Sequence, residues 1–400
     1  MGLLTVSVSR DVVDEAVAVH GRQARRSDAK LPPRLMVYYV MALALYADED
    51  YEQVLAHLTE RLADLGGWRR EWVLPTSGGI TQARQRLGSA VVAEVYERIA
   101  HPVADQLTVG AWLAGRRLTA IDGFTWEMPD SPANAERFGY PPNGGAFPQA
   151  RVVTLSECGS HVTLGAAIAP MCGKGSGERT LAKELWPRLE EDWLLLADRG
   201  FYSFDNWCAA QAGGAGLLWR LSEGPALPVI RPLPDGSYLA LVHRPQLSVR
   251  QKTTALQAAR AGQDPDPAHA RLVRVVEYDI PERGQGEAET ICLITTLLDP
   301  LEATAGELAA AYHERWEHET VNAQIKTALR GPGRILRSKH PDTVLQEVYG
   351  YLLTHYAITA HICRAATGAG LDPDRVSFTR TLRILRRRVP DTAAFPPSPP

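Results

Sequence analysis

Residues 117 to 221 pass through apolar strand-type runs and short amphipathic helices in an order that few folds accommodate. RLTAIDGFTW (117–126) reads as a strand ending in an acid at Asp122. Val152 to Ser156 and Val162 to Ile168 read as a hairpin pair around CGSH. GERTLAKELWPRL (177–189) has a helical period, and WLLLADRGF (193–201) is an apolar strand ending in Asp198. Ser203 to Ala212 is helical and Gly216 to Leu221 is a further strand. The order β-β-β-α-β-α-β implies a mixed sheet with helices on its faces, with the first and fourth strands side by side. An acid at the open end of a sheet strand commonly binds a ligand or metal. Each aspartate alone reads equally well as a turn or cap acid, but two on adjacent strands favour a metal pair. Hard divalent cations such as Mg²⁺ take carboxylate oxygens, and two of them suit phosphodiester chemistry.

The flanks are different in kind. Leu35 to Ala47, Tyr51 to Leu65 and Thr81 to Ile99 carry apolar residues at spacings of three and four and read as three helices. A small helical bundle of this kind docks on DNA or simply packs; Arg84 and Arg86 on the third helix are its candidate DNA contacts. The apolar run Leu35 to Ala47 is shorter than the roughly 20 residues of a membrane span, so it reads as a buried helix. The N-terminus has no basic segment followed by an apolar one, so no signal peptide is expected. Five scattered cysteines without a CxxC pair fit a reducing, cytoplasmic setting. Residues 225 to 298 are rich in Pro, Gly and β-type runs (237–243, 270–280, 290–298) and read as an insertion. Helices return at 302–330, 341–366 and 377–388, and the last residues, AAFPPSPP, read as disordered. Net charge is −3, yet residues 326–388 hold twelve Lys and Arg against four acids. That local balance reads as a phosphate-binding face or as an ordinary solvated helical surface.

The helix near residue 312 offers a third carboxylate. At about 100° per residue, Tyr312, Arg315, Glu319 and Lys326 fall at roughly 0°, 300°, 340° and 320°, one stripe about 60° wide. Trp316 lies beside it near 40°, while Val321, Ile325 and Leu329 fall on another face that can pack. The stripe runs about 21 Å, several nucleotides of backbone. A carboxylate flanked by Arg and Lys suits a metal ligand beside a phosphate chain. Without the two aspartates, a solvated face laced with ion pairs would be the better reading.

Three blocks resemble the DDE transposases of the insertion-sequence-four family. They are AIDGFTWEMPDSPANAERFG (120–139), LLLADRGFYSF (194–204) and YHERWEHETVNAQIK (312–326), the last meeting the family's Y-x2-R-x3-E-x6-K spacing. The N-terminal helices resemble the family's N-terminal domain, and the likeness spans roughly residues 10 to 390. The resemblance implies an α/β, RNase H-like mixed-sheet core (111–224 and 301–390). To this it adds an α-helical N-terminal domain (1–110), a β-rich insertion (225–300) between the second Asp and the Glu, and a disordered tail (391–400). It further implies that Asp122, Asp198 and Glu319 bind two Mg²⁺ ions, with Mn²⁺ able to substitute, and carry catalysis. Cut-and-paste transposition through a hairpin on the transposon end would follow. Tyr312, Arg315 and Lys326 would grip phosphates and Trp316 would pack near the displaced strand. Arg199 would contact DNA or serve structure, with Glu178 beside the acids. Family members hold a flipped base with an aromatic in the insertion; residues 221 to 311 contain no Trp, leaving Tyr238 or Tyr278 for that task. The expected partners are terminal inverted repeats, target DNA and a second copy in a synaptic homodimer, in a nucleoid-associated bacterial cytoplasm and away from membranes.

Other constellations are weak. GKGSGERT (173–180) fails the P-loop spacing. His313 and His318 differ by about 140° on a helix and do not share a ligand face. Asp130 reads as a turn or cap residue. Two alternatives to a transposase stay open: a silent, truncated copy that binds transposon ends without cutting, and an RNase H-fold nuclease that cuts without joining.

Overall fold

A ten-stranded sheet runs through the computed structural model, which describes residues 2–26, 29–59, 73–222, 227–280 and 289–388. Its strands are β1 (Trp112–Leu113), β2 (Arg116–Glu127), β3 (Gln149–Glu157), β4 (Thr163–Pro170), β5 (Trp193–Ala197) and β6 (Gly216–Arg220). They continue as β7 (Arg231–Pro232), β8 (Tyr238–His243), β9 (Ala270–Ile280) and β10 (Glu289–Thr295). The order across the sheet is β4-β3-β2-β5-β6-β10-β9-β8-β7, with β1 paired to β2. The first three long strands are antiparallel, and β5 and β6 add in parallel beside β2. This is the RNase H-like arrangement, and the expected neighbours β2 and β5 do pair. The strands after β6 form no sheet of their own. β10 joins β6 antiparallel, so the segment between the second aspartate and Glu319 lengthens the same sheet.

Side chains alternate across a strand, and the two faces bury different partners. Leu118, Ala120, Leu194, Leu196 and Leu218 form one cluster with Leu308, Ala311 and Tyr312. The residues between them, Ile121, Leu195, Ala197, Leu217 and Trp219, belong to a second, larger cluster.

Six helices precede the sheet: α1 (Gly2–Ser7), α2 (Arg10–Val19), α3 (Pro33–Leu45), α4 (Tyr51–Thr59), α5 (Ser77–Leu87) and α6 (Ser89–Ile99). The apolar run beginning at Leu35 is the buried helix expected, and each Leu, Val or Met it removes from water contributes about 1.5–3 kcal/mol. The region 81–99 is two helices rather than one. Gly88, at φ +78°, turns the chain between them, a conformation that side chains other than glycine's resist. The second N-terminal helix ends at Thr59, and residues 60–65 of that reading lie outside the described residues. Arg84 is no DNA contact here. It is buried, and its guanidinium donates to Gln346, the Tyr51 hydroxyl, Ser338 and the Thr343 carbonyl.

The remaining helices are α7 (Pro132–Phe138), α8 (Glu178–Leu181), α9 (Phe204–Gln211), α10 (Val249–Arg260), α11 (Ala305–His313), α12 (Arg315–Ala323), α13 (Pro341–Gly368) and α14 (Phe378–Arg388). The single helix expected over 177–189 breaks after α8 into two 3₁₀ turns, the second containing Pro187. The polar stretch after 250 is helical because Ser248 and Gln251 form a capping box. α13 packs on α3 and α6. Gly350 permits the approach to α3, since a Cβ there would lie 2.7 Å from the Val40 carbonyl oxygen. Among the described residues, no helix is long and apolar enough to cross a membrane. The tail 391–400 lies outside the described residues.

Candidate active site

Asp122 and Asp198 meet through strand register. β2 pairs with β5 from Arg117↔Trp193 to Ile121↔Ala197, so the next residues on each strand are Asp122 and Asp198. Period-two alternation puts Asp122 on the face of Leu118 and Ala120, and Asp198 on the face of Leu194 and Leu196. Asp198 does end its strand. Asp122 does not, because β2 continues to Glu127 along β3; what ends at Asp122 is the pairing with β5.

α11 and α12 cover that face, and they are not one regular helix. The chain turns at Glu314, and residues Gln324–Leu329 form a wide π turn, a feature frequent at functional sites. Tyr312 therefore stands on a different segment from Arg315 and Glu319, and Lys326 does not keep its uniform 100° position. Tyr312 is buried, and burial pushes its phenol well above the usual range, with the Arg315 guanidinium opposing. It presents its ring to Arg315, 5.6 Å from the guanidinium carbon, rather than its hydroxyl to solvent. Trp316 is half exposed, and its ring lies 5.5 Å from the same guanidinium carbon.

Arg315 is the centre of charge. It is 7% exposed, and its Nη2 lies 3.3 Å from Glu319 Oε1. Burial acts to lower its pKa, but Tyr312, Asp198, Glu319 and Asp122 together raise it above the ordinary value. One cation thus sits within reach of all three acids. Burial holds the Asp122 carboxyl above the ordinary range, with Asp198 adding to the rise. The Gly123 N–H, Arg315 and Asn322 oppose it. Asp122 accepts from Gly123 N at 2.8 Å and from Asn322 Nδ2 at 3.1 Å. Asn322 was absent from the residues chosen from sequence. Ten positions after Tyr312 it falls at roughly 280°, beside Arg315 on the same stripe. Its neutral amide did not draw attention among charged neighbours.

Lys326 is half buried, with Nζ 5.9 Å from the Phe124 ring. Burial and Arg330 lower its pKa, while Glu127 and Asp122 raise it. Arg199 is exposed in the 3₁₀ turn that follows Asp198. Glu178 lies across β2 at Gly123, where no side chain blocks it, and burial raises its carboxyl with Asp122 contributing. Of the two insertion tyrosines, Tyr278 lies near the signature helix, its ring 6.1 Å from that of His313. Tyr238 is tied to Glu277 at 3.1 Å. His318 is buried and held neutral, its pKa lowered to about 3 by burial and by Arg315, with Nε2 3.1 Å from Thr154 Oγ1.

The basic C-terminal segment is partly internal. Arg334 donates to the Ala47 carbonyl, Arg337 to those of Leu43 and Glu49, and Arg386 to that of Leu45. These cations satisfy the carbonyls at and beyond the end of α3. Arg380, Arg383 and Arg387 on α14 remain exposed.

Comparison with known proteins agrees with this geometry. Residues 1–97 match the profile described as insertion element 4 transposase N-terminal, and residues 113–356 match the transposase DDE domain. The chain is 28% identical over 384 residues to the transposase InsG for insertion sequence element IS4 of Escherichia coli (strain K12), covering 94% of this chain and 80% of that protein. It is 32% identical over 147 residues to the putative transposase InsZ of the same organism, covering 36% of this chain and 48% of that one. A piggyBac transposase synaptic complex with hairpin DNA, solved by cryo-EM, overlays with a TM-score of 0.49 at 11% identity, covering 97% of this chain and 79% of that one. The DDE match spans more than half of the 400 residues: the chain belongs to the insertion-sequence-four family of DDE transposases and is a DNA transposase.

Proposed function

We propose that this transposase excises and joins its element by metal-assisted phosphodiester cleavage and strand transfer, with Asp122, Asp198 and Glu319 as the metal-binding carboxylates. The observation that carries this reading is the register that sets Asp122 beside Asp198 beneath the Arg315–Glu319 pair. The donor set fits hard divalent cations such as Mg²⁺ or Mn²⁺, being oxygen only and carrying more negative charge than Arg315 alone offsets. Bound there, such ions would supply Lewis-acid activation of the attacking hydroxyl and stabilisation of the leaving oxygen.

The chain's own residues do the rest. Asn322 and the Gly123 N–H fix the Asp122 carboxylate from two directions. Arg315, with the Tyr312 and Trp316 rings both near its guanidinium, keeps Glu319 at the same face and offers its remaining donors to a phosphate. Lys326 reaches the same region from the π turn as a second phosphate contact, and exposed Arg199 sits at the rim. Tyr278, close to α11, suits a flipped base better than Tyr238, whose hydroxyl is engaged. Two copies acting on paired ends would complete a synaptic dimer. Purified protein with Mg²⁺ should cut a DNA fragment bearing its element's ends at the boundary, and Asp198→Ala should not. Boundary binding without cleavage by either protein would favour a silent end-binding role, and cutting without joining a nuclease.

A further inference from the structure

A second cluster of ligand-type side chains stands on the other side of α12. His161, in the turn between β3 and β4, places Nε2 3.0 Å from Asp374 Oδ1 and 3.3 Å from Glu317 Oε2. Glu317 lies roughly 200° around the helix from Glu319, so this group does not open onto the Asp122–Asp198 face. Asp374 comes from the 3₁₀ turn that leads into α14. One ligand atom from each of the three residues lies within 4.8 Å of the others. Tetrahedral zinc with bonds of about 2.0–2.1 Å sets its ligands about 3.3 Å apart along each edge. The two measured separations are already close to that edge.

The surroundings of Nε2 define the group further. The atom is buried and lacks well-directed hydrogen-bond geometry, but burial is outweighed by Asp374 and Glu317, which raise the imidazole to about 9, so an ion there would replace its proton. The opposite ring nitrogen, Nδ1, faces Gln324 at 3.5 Å, and Gln324 is held in turn by His355 at 2.8 Å. Glu317 is aimed by the Gly159 N–H. His161 itself adopts φ +62°, a left-handed conformation that histidine, like asparagine, adopts more readily than most side chains. The group borders a cavity of about 530 Å³, also lined by Glu314, with no Lys or Arg among its lining residues. Two acids, Glu317 and Asp374, face His161 there, and water has room to complete a coordination shell.

We propose that His161, Glu317 and Asp374 form a structural site for a divalent cation of the zinc class, separate from the carboxylates of the active site. The nitrogen donor selects zinc over Mg²⁺, which takes oxygen ligands. The ion joins three segments distant in sequence: the β3–β4 turn, the back of the helix carrying Glu319, and the turn that starts α14. It therefore braces the signature helix from behind and fixes the exposed Arg380, Arg383 and Arg387 relative to the active site.

The test uses full-length protein carrying Asp122→Asn and Asp198→Asn, which removes the other carboxylate pair. After chelator treatment it is titrated with Zn²⁺ under excess Mg²⁺. Bound zinc is counted per chain, and Co²⁺ replaces it for visible absorption. The expected result is one zinc per chain, a four-coordinate Co²⁺ spectrum and a thermal midpoint that rises with zinc. Adding His161→Asn, a residue that tolerates the left-handed backbone, or Asp374→Asn on its exposed turn should weaken zinc binding about tenfold or more. Circular dichroism checks that each variant is folded. Equal zinc affinity in the variants would overturn the assignment. So would a folded parent that takes up no zinc, leaving the three residues as an ion-pair cluster only.

Discussion

Gly123→Ala separates the active-site carboxylates from the fold that carries them. A Cβ at this position would lie 2.8 Å from Glu178 Cγ and Cδ and 2.9 Å from Oε1. All three atoms belong to one flexible side chain, so the clash is relieved by moving Glu178 rather than β2. The strand backbone itself favours alanine over glycine by roughly 0.5–1 kcal/mol. Forcing the Glu178 side chain to a poorer rotamer costs about 0.5–1.5 kcal/mol. The two effects nearly cancel, so stability should change by no more than about 1 kcal/mol and the thermal midpoint by about 1 °C. Cleavage should respond differently. Glu178 is the acid nearest to Asp122 on the far side of β2, and its displacement should lower boundary cleavage about tenfold to a hundredfold and raise the Mg²⁺ needed. Melting curves and cleavage rates across a Mg²⁺ series measure both. Glu178→Ala should lose the same activity, and the double variant should lose no more than either, because both act through one carboxylate. Wild-type cleavage by Gly123→Ala at every Mg²⁺ concentration would refute the reasoning. Losses that multiply in the double variant would do so too.

Two further outcomes follow from charge and burial. Lys326→Ala should lower the slope of log affinity against log salt for DNA by about 0.9, the value for one phosphate contact. Arg315→Ala should lower that slope by a similar amount through its remaining donors, and cleavage should fall as well because Glu319 loses its partner; binding isotherms at several salt concentrations and cleavage rates measure both. His355 is buried, and burial with His161 and His318 lowers its pKa to about 3 from an ordinary value of 6.5. The folded state therefore refuses a proton that the unfolded chain accepts. Its contribution is intact above pH 6.5 and is lost progressively as pH falls toward 3. Between pH 7 and pH 5 that loss is about 2 kcal/mol. Denaturant midpoints should show an acid limb that His355→Gln makes shallower by this amount, and an unchanged limb would contradict the buried neutral imidazole.

The strand part of the fold was legible because period-two patterning carries its own geometry. Leu118 and Ala120 lead to Asp122, and Leu194 and Leu196 lead to Asp198, so knowing that the first and fourth strands are neighbours is enough to bring the acids together. Helices were legible as helices but not in their breaks. Gly88 divides 81–99, and the turn at Glu314 and the π turn at Gln324 divide the signature helix. No hydrophobic period encodes those interruptions, since apolar residues continue at helical spacing on both sides. A wheel drawn at a uniform 100° thus put Arg315 and Glu319 on one stripe, as the structure does, while missing that Tyr312 turns inward.

The C-terminal charge illustrates what counting residues leaves out. A balance of twelve cations to four acids suggested a face for phosphate, yet direction decides what each cation does. Arg337 and Arg386 turn inward to carbonyls around the end of α3, and Arg334 reaches that of Ala47 from the surface. A buried carbonyl without a donor costs as much as a lost hydrogen bond, so these arginines are committed before DNA arrives. Exposed cations of the same segment include Lys339, Arg364 and Arg375, and Arg380, Arg383 and Arg387 on α14, with half-buried Lys326 at the site itself. The turn that starts α14 meets the back of α12 where His161, Glu317 and Asp374 converge. Whatever fixes that convergence also fixes the spacing between the carboxylates proposed to bind metal and the exposed arginines of α14.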